Sequence, residues 1–168
     1  MIYILTGPIR TGKTTRLHTW LEARQEVAGI LTPDGEDGLR RMYDINKGLF
    51  FPFEINANTE DVSEVLEIGR FRFLQKAFEQ ANAILEEAAN SNATTIVIDE
   101  WGKLEAKGQG LAASSDFLLT KALEGSLQAD VIVVVRDSLL ENFHAHCKEL
   151  IPNGEAAYSP RYLHLPMR

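Results

Sequence analysis

The chain has 168 residues, enough for one domain with a substantial core. Hydrophobic residues make up 45% and charged residues 24%, the balance of a soluble globular protein. The formal net charge of -7 argues against an extended nucleic-acid or anionic-membrane surface, which needs clustered Lys and Arg, but it leaves room for one locally positive anion site.

The lone cysteine, Cys147, leaves no partner for an internal disulfide and fits a reducing compartment. No basic n-region or cleavage site precedes the first strand-like run, and no apolar run approaches a membrane span. A cytoplasmic protein is expected. The oligomeric state is left open, with a monomer favoured.

In chain order, residues 2–6, IYILT, read as a buried strand. Lys13 to about Gln25 reads as a helix with Leu17, Trp20 and Leu21 on one face, and residues 27–31, VAGIL, as a second strand. The turn formers TPDGEDG lead into LRRMYDIN and LFFPFEI, a hairpin about Lys47-Gly48, with Pro52 pushing the second arm to an edge. Region 38–55 is expected to be an insertion on one edge of a larger sheet.

Residues 56–68 read as a loop with one helical turn, and RFRF at 70–73 as a short strand. From Leu74 to Ala89, Leu74, Ala77, Phe78, Ala81, Leu85 and Ala88 recur at helical spacing. TTIVIDE at 94–100 reads as a strand ending in two acids. AKGQGLAASS at 106–115 reads as a mobile loop, followed by a helix from Asp116 to Ser126. DVIVVV at 130–135 is the strongest strand signal and ends at Arg136-Asp137. A helix from Ser138 to about Leu150 and a tail strand near RYLHL close the chain. Apolar strands alternating with amphipathic helices predict a mainly parallel sheet covered on both faces, with residues 1–168 as one α/β domain.

The junction after the first strand, GPIRTGKTT, matches G-x-x-x-x-G-K-[ST], a phosphate-binding loop. Glycines let the backbone turn tightly enough to aim several N–H groups at one phosphate. The helix that begins near Lys13 adds the positive end of its dipole. Lys13 is placed to reach the β- and γ-phosphates, and the Thr14 hydroxyl to ligate Mg²⁺. The nucleotide-binding set is Gly7, Pro8, Ile9, Arg10, Thr11, Gly12, Lys13, Thr14 and Thr15. Such a loop needs a metal-holding group and a group that activates the nucleophile. Asp99, at the carboxyl end of a strand, is the candidate for the metal. Glu100 is the candidate general base for an attacking water.

With these motifs placed, residues 1–150 resemble the P-loop nucleoside-triphosphatases called NTPase family 1, or cancer-related nucleoside-triphosphatases. LTGPIRTGKTT stands where the family carries G-P-x-G-x-G-K-T-T, and IVIDEWGKLE where it carries an aliphatic run and D-E-I-G-x-M-E. GLRRMYDI is similar to its G-x-R-x-G-F-x-I stretch, and IGRFRF with Phe78 to its G-x-Y-x-V…F stretch. The resemblance implies a three-layer, RecA-like parallel sheet with an edge β-hairpin. It also implies Mg²⁺-dependent hydrolysis of ATP, GTP or other nucleoside triphosphates with broad base tolerance. Arg40 matches the family's hairpin arginine, a candidate for steadying transition-state charge; a solvated hairpin charge is the other reading. Glu105 matches the G-x-M-E glutamate, where a loop salt bridge is expected. The chain departs from the pattern at Arg10, which replaces a loop glycine, at Met42-Tyr43 and at Trp101.

Arg136 has two readings, a phosphate sensor or a structural pair with an acid such as Asp137. Trp101 reads as packing, as do Phe71 and Phe73. In HAHC at 144–147, His144 and His146 face different sides of a helix, too few ligands for zinc. Three functions share these parts: a nucleoside-triphosphate hydrolase, a kinase for a nucleoside, nucleotide or small metabolite, and a nucleotide-dependent switch with little turnover. Hydrolysis is favoured by Glu100 standing beside Asp99. A nucleotide kinase would need an arginine-rich lid, and the 106–115 stretch has lysine but no arginine.

Overall fold

A computed structural model describes residues 1–59, 64–152 and 157–166. Strands β1 (Ile2–Gly7), β2 (Val27–Leu31), β8 (Thr95–Trp101), β9 (Asp130–Arg136) and β10 (Arg161–Tyr162) pair in parallel in the order β10-β1-β9-β8-β2. The hairpin β3 (Arg41–Asp44) and β4 (Leu49–Pro52) extends this sheet antiparallel beyond β2, so β4, ending at Pro52, is the outer edge. Pro52 lacks a ladder donor and an edge tolerates that loss. A second sheet, β5 (Glu54–Ile55), β7 (Phe71–Leu74) and β6 (Val65–Ile68), is antiparallel, with β7 in the middle.

The central strands are apolar on both faces, and the two faces feed two cores. On β8 and β9, Ile96, Ile98, Val131, Val133 and Val135 pack with α2 (Gln75–Ala89), α3 (Ala112–Leu123) and α4 (Leu140–Glu149). Their alternates Val97, Ile132 and Val134 pack with Leu17 and Leu21 of α1 (Lys13–Glu22) and with Leu165. Period-2 alternation with both sets apolar is what a sheet sandwiched between helix layers requires. The three-layer expectation holds. The second sheet is tied to the helix layer by aromatics: Phe53 lies 4.5 Å from Phe73 and 5.1 Å from Phe78, ring to ring.

Two stretches differ from the sequence reading. Val65–Ile68 is a strand, where a loop with a helical turn was expected; residues 60–63 lie outside the described residues. Its ladder comes from β7, with Leu66 opposite Phe73, a tertiary partner that a four-residue run does not announce. The 106–115 stretch is packed rather than loose: a short 3₁₀ turn covers Glu105–Lys107, α3 starts at Ala112, and Leu111, Ala112, Ser114 and Ser115 are buried. Small residues that resemble linker composition here allow close approach of α3 to α2. Asn82 on α2 supplies the polar partners, donating to the Gly110 carbonyl at 2.9 Å and accepting from the Ser114 hydroxyl at 2.6 Å.

Gly29 in β2 has φ of 111°, and a Cβ there would sit 2.7 Å from the Val97 nitrogen and nearer still to its carbonyl. Both the backbone conformation and the pairing with β8 exclude a side chain. Gly29→Ala is therefore expected to destabilise the protein by about 3 kcal/mol or more, read as a lowered denaturant midpoint. An unchanged midpoint would show that β2 and β8 are less tightly paired than described.

Candidate active site

Parallel pairing puts the carboxyl ends of β1, β9 and β8 side by side. The phosphate loop leaves β1, Arg136 ends β9, and Asp99-Glu100 lie near the end of β8. Two strand spacings separate the loop from the acids, about 10 Å, with Arg136 between them.

Gly12 takes φ of 70° and caps α1 with no side chain on its first N–H groups. Those N–H groups and the dipole of α1 are an anion site in search of a partner. Arg10, where the resemblance expects glycine, adopts the same left-handed region, φ 61°. A non-glycine residue pays about 1–2 kcal/mol for that conformation. The Arg10 side chain is exposed at the lip of the loop together with Pro8 and Ile9. Thr11 is exposed and its hydroxyl donates to the Pro8 carbonyl at 2.9 Å; Thr15 is exposed on α1. The Lys13 ammonium is turned onto the loop itself. It donates to the carbonyls of Gly7 (2.9 Å) and Pro8 and lies 3.4 Å from the Thr11 hydroxyl, so all three of its protons have acceptors. Partial burial lowers its pKa, against the raising effect of Asp137, Asp99 and Glu100.

Asp99 is only 1% exposed. The backbone N–H and the hydroxyl of Thr32, just past β2, donate to its Oδ2 at 2.8 and 3.1 Å. Burial raises the carboxyl pKa to about 6, opposed by the Thr32 N–H and, more weakly, by the side chain of Thr14, which faces it; the charge of Glu100 adds to the rise. Thr14 of the phosphate loop acts on the charge of the buried Asp99, and both carry hard oxygen donors of the type Mg²⁺ takes. Thr32 escaped the sequence reading. Its only signal is a hydroxyl at the carboxyl end of the strand adjoining β8.

Glu100 sits in a bulge of β8 between Ile98 and Trp101 and has φ of 70°. A left-handed glutamate costs on the order of 1 kcal/mol or more, and such outliers gather at functional sites. The twist turns its carboxylate between two guanidinium groups. Arg40 Nη1 approaches Oε2 at 3.1 Å, and Arg136 binds Oε1. Arg40 also pairs with Glu54 at 3.3 Å and lies 5.0 Å above the rings of Phe71 and Phe73. It is thus a built element of the site, not a solvated hairpin charge. Arg136 pairs with Glu100 rather than Asp137.

Other sequence candidates resolve into packing and internal bonds. Trp101 is 1% exposed and edge-on to Phe143 at 5.2 Å. Phe73 is buried in the core, as expected. Glu105 makes no salt bridge among the described residues. Its buried carboxylate instead accepts from the N–H groups of Gly102 and Leu111, both at 2.9 Å, and closes the turn after β8. Burial raises its pKa. His144 is bonded to Tyr158 (2.6 Å) and Tyr162 (3.0 Å), His146 to Asp116 (2.6 Å), and Cys147 is buried, so the HAHC cluster is occupied internally. No group of three or more His, Cys, Asp or Glu among the described residues is arranged to hold a metal.

Similarity to known proteins bears on the whole arrangement. The chain superposes on THEP1 from the hyperthermophile Aquifex aeolicus with a TM-score of 0.70 and 19% identity, over 98% of this chain and 90% of that one. It superposes on a human cancer-related nucleoside triphosphatase with a TM-score of 0.58 and 20% identity, over 95% and 86% of the two chains. At these identities the likeness is one of fold. No curated protein matches the chain. The model of the NTPase family matches residues 2–151, nearly the whole of the parallel sheet and every charged group described above, and by that match the chain belongs to the NTPase family.

Proposed function

We propose that residues 1–168 form one domain that binds a nucleoside triphosphate with Mg²⁺ and hydrolyses its γ-phosphate. The observation that carries this reading is the buried Asp99, bonded by Thr32, on the same sheet edge as an α1 N-terminus that no side chain caps. The backbone of residues 7–14 and Lys13 hold the phosphates, with Thr15 following on α1. Thr14 and Asp99 are the residues that would hold Mg²⁺. The metal would neutralise charge on the β- and γ-phosphates. Thr32 keeps one oxygen of Asp99 engaged and so orients the other.

Glu100 positions a water and takes its proton as the water oxygen bonds to the γ-phosphorus. The bond from that phosphorus to the bridging oxygen breaks, leaving diphosphate and phosphate. Glu100 does this only when released from Arg40 and Arg136, and the two guanidinium groups then stand free to meet the developing charge. The chemistry engages phosphates and metal alone, which supports tolerance of different bases. The resting engagement of both Lys13 and Glu100 supports a second reading, a switch whose turnover stays low until these contacts are broken. A cytoplasmic site is consistent with the net charge and the buried lone cysteine; among the described residues no helix is long and apolar enough to cross a membrane.

Phosphate release from ATP, GTP, CTP and UTP with Mg²⁺ tests the reading. The wild type is expected to turn over, with Lys13→Ala and Glu100→Gln each reduced about 100-fold or more. Nucleotide binding without release by the wild type would sink the hydrolase assignment and leave the switch.

The charge of Asp99 also makes stability depend on pH. A carboxyl raised from 3.8 to about 6 binds more protons folded than unfolded between those values. Its contribution to stability is therefore greatest at low pH and is lost as pH rises through that window. Asp99→Asn removes this loss. In urea unfolding without metal or nucleotide, the variant is expected to gain on wild type by up to about 3 kcal/mol between about pH 4 and pH 7. A pH-independent difference would mean that Asp99 is not desolvated.

A further inference from the structure

Beside Glu100, the carboxyl ends of β8 and β9 and the second sheet enclose a cavity of about 250 Å³, which Asp99 and Thr32 also line. None of residues 7–15 lines it. Its size is near the lower end of ordinary ligand pockets, about 300 Å³, and suits one flat ring system with a substituent. One wall is apolar, built from Phe53, Phe73, Phe78 and Leu111. The lining also carries Arg40, Arg70, Lys103 and Arg136, four cations gathered on a chain whose net charge is -7.

The carboxylates in the lining are already engaged. Asp99 accepts from Thr32, Glu105 from two backbone N–H groups, and Glu100 from Arg40 and Arg136. Among the described residues no carboxylate pairs with Arg70 or Lys103, both exposed at the mouth. Arg40 and Arg70 each lie 5.0 Å from the ring centre of Phe71, a cation–π arrangement.

We propose that this cavity binds a second small molecule, with a flat apolar body against the phenylalanine wall and a carboxylate or phosphate that takes Arg40 and Arg136 in place of Glu100. Arg70 and Lys103 attract the anion at the mouth. Binding breaks the two ion pairs that hold Glu100 but occupies the two guanidinium groups that would meet the developing charge, so the ligand acts as an inhibitor of phosphate release. That last consequence rests on the roles proposed for Arg40 and Arg136. The binding itself does not.

The competition between ligand and Glu100 gives a specific test. The full chain, without nucleoside triphosphate, is titrated by ligand-observed NMR with indole-3-acetate as the carboxylate probe and with 5′-AMP, GMP, CMP and UMP as phosphate probes. At least one probe is expected to bind with a Kd of about 1 mM or tighter. Lys13→Ala should leave this affinity unchanged. Glu100→Gln should strengthen it about tenfold, since a competing charge is gone, and Arg70→Glu should weaken it about tenfold. If Arg70→Glu fails to fold by circular dichroism, Leu139→Trp, which narrows the same cavity, replaces it and should abolish binding. The proposal is overturned if no probe binds, if binding disappears with Lys13→Ala and so belongs to the phosphate loop, or if Glu100→Gln leaves affinity unchanged. Phosphate release measured alongside separates the two readings: a probe that binds as expected while Glu100→Gln retains turnover rejects the base assignment and keeps the cavity.

Discussion

Parallel pairing of β1, β9, β8 and β2 is the constraint on which the site depends. Strands that run the same way end at the same edge, and each of these delivers one charged or hydroxyl group just at or beyond its end. The phosphate loop, Arg136, Asp99-Glu100 and Thr32 come from four separate strands. The apolar strands below them, buried on both faces, hold that edge rigid. Loss of the close β2–β8 contact at Gly29 would therefore disturb Thr32 and Asp99 before it disturbed the loop.

The two acids, adjacent in sequence, are put to opposite uses by their surroundings. Asp99 is buried and bonded by Thr32. Glu100 bulges out in a left-handed conformation and is held by two arginines at a partly open cavity. A bulge at this point turns two adjacent carboxylates into different surroundings without any gap in the sequence. Strain at Arg10 and at Glu100, on the two sides of the site, shows the surrounding fold overriding local backbone preference.

Lys13 and Glu100 are both engaged by other groups of the protein. Lys13 bonds its own loop, and Glu100 bonds Arg40 and Arg136. These contacts are ones that a triphosphate and an anion in the neighbouring cavity would each replace. The hairpin and the second sheet, which supply Arg40 and Phe71, are thereby tied to Glu100.

Much of this was legible in the chain. GPIRTGKTT, between an apolar run and a helical one, specifies its own turn because the glycine, lysine and hydroxyl requirements are local. The runs IVIDE and DVIVVV specify buried parallel strands because both faces are apolar. Other features depend on residues distant in sequence and were hidden for that reason. Strand β6 exists only through β7. The Ala/Ser stretch after Gly110 looks like a linker until α2 and Asn82 pack against it. Glu105 carries no mark that two backbone N–H groups will receive it. The sequence by itself determined the glycine-lysine-threonine turn after the first strand and the pair of acids at the end of an apolar strand. Only the tertiary structure decided that Arg40 and Arg136 converge on Glu100 and that Thr32 seals Asp99, since both depend on strand order, which no local pattern encodes.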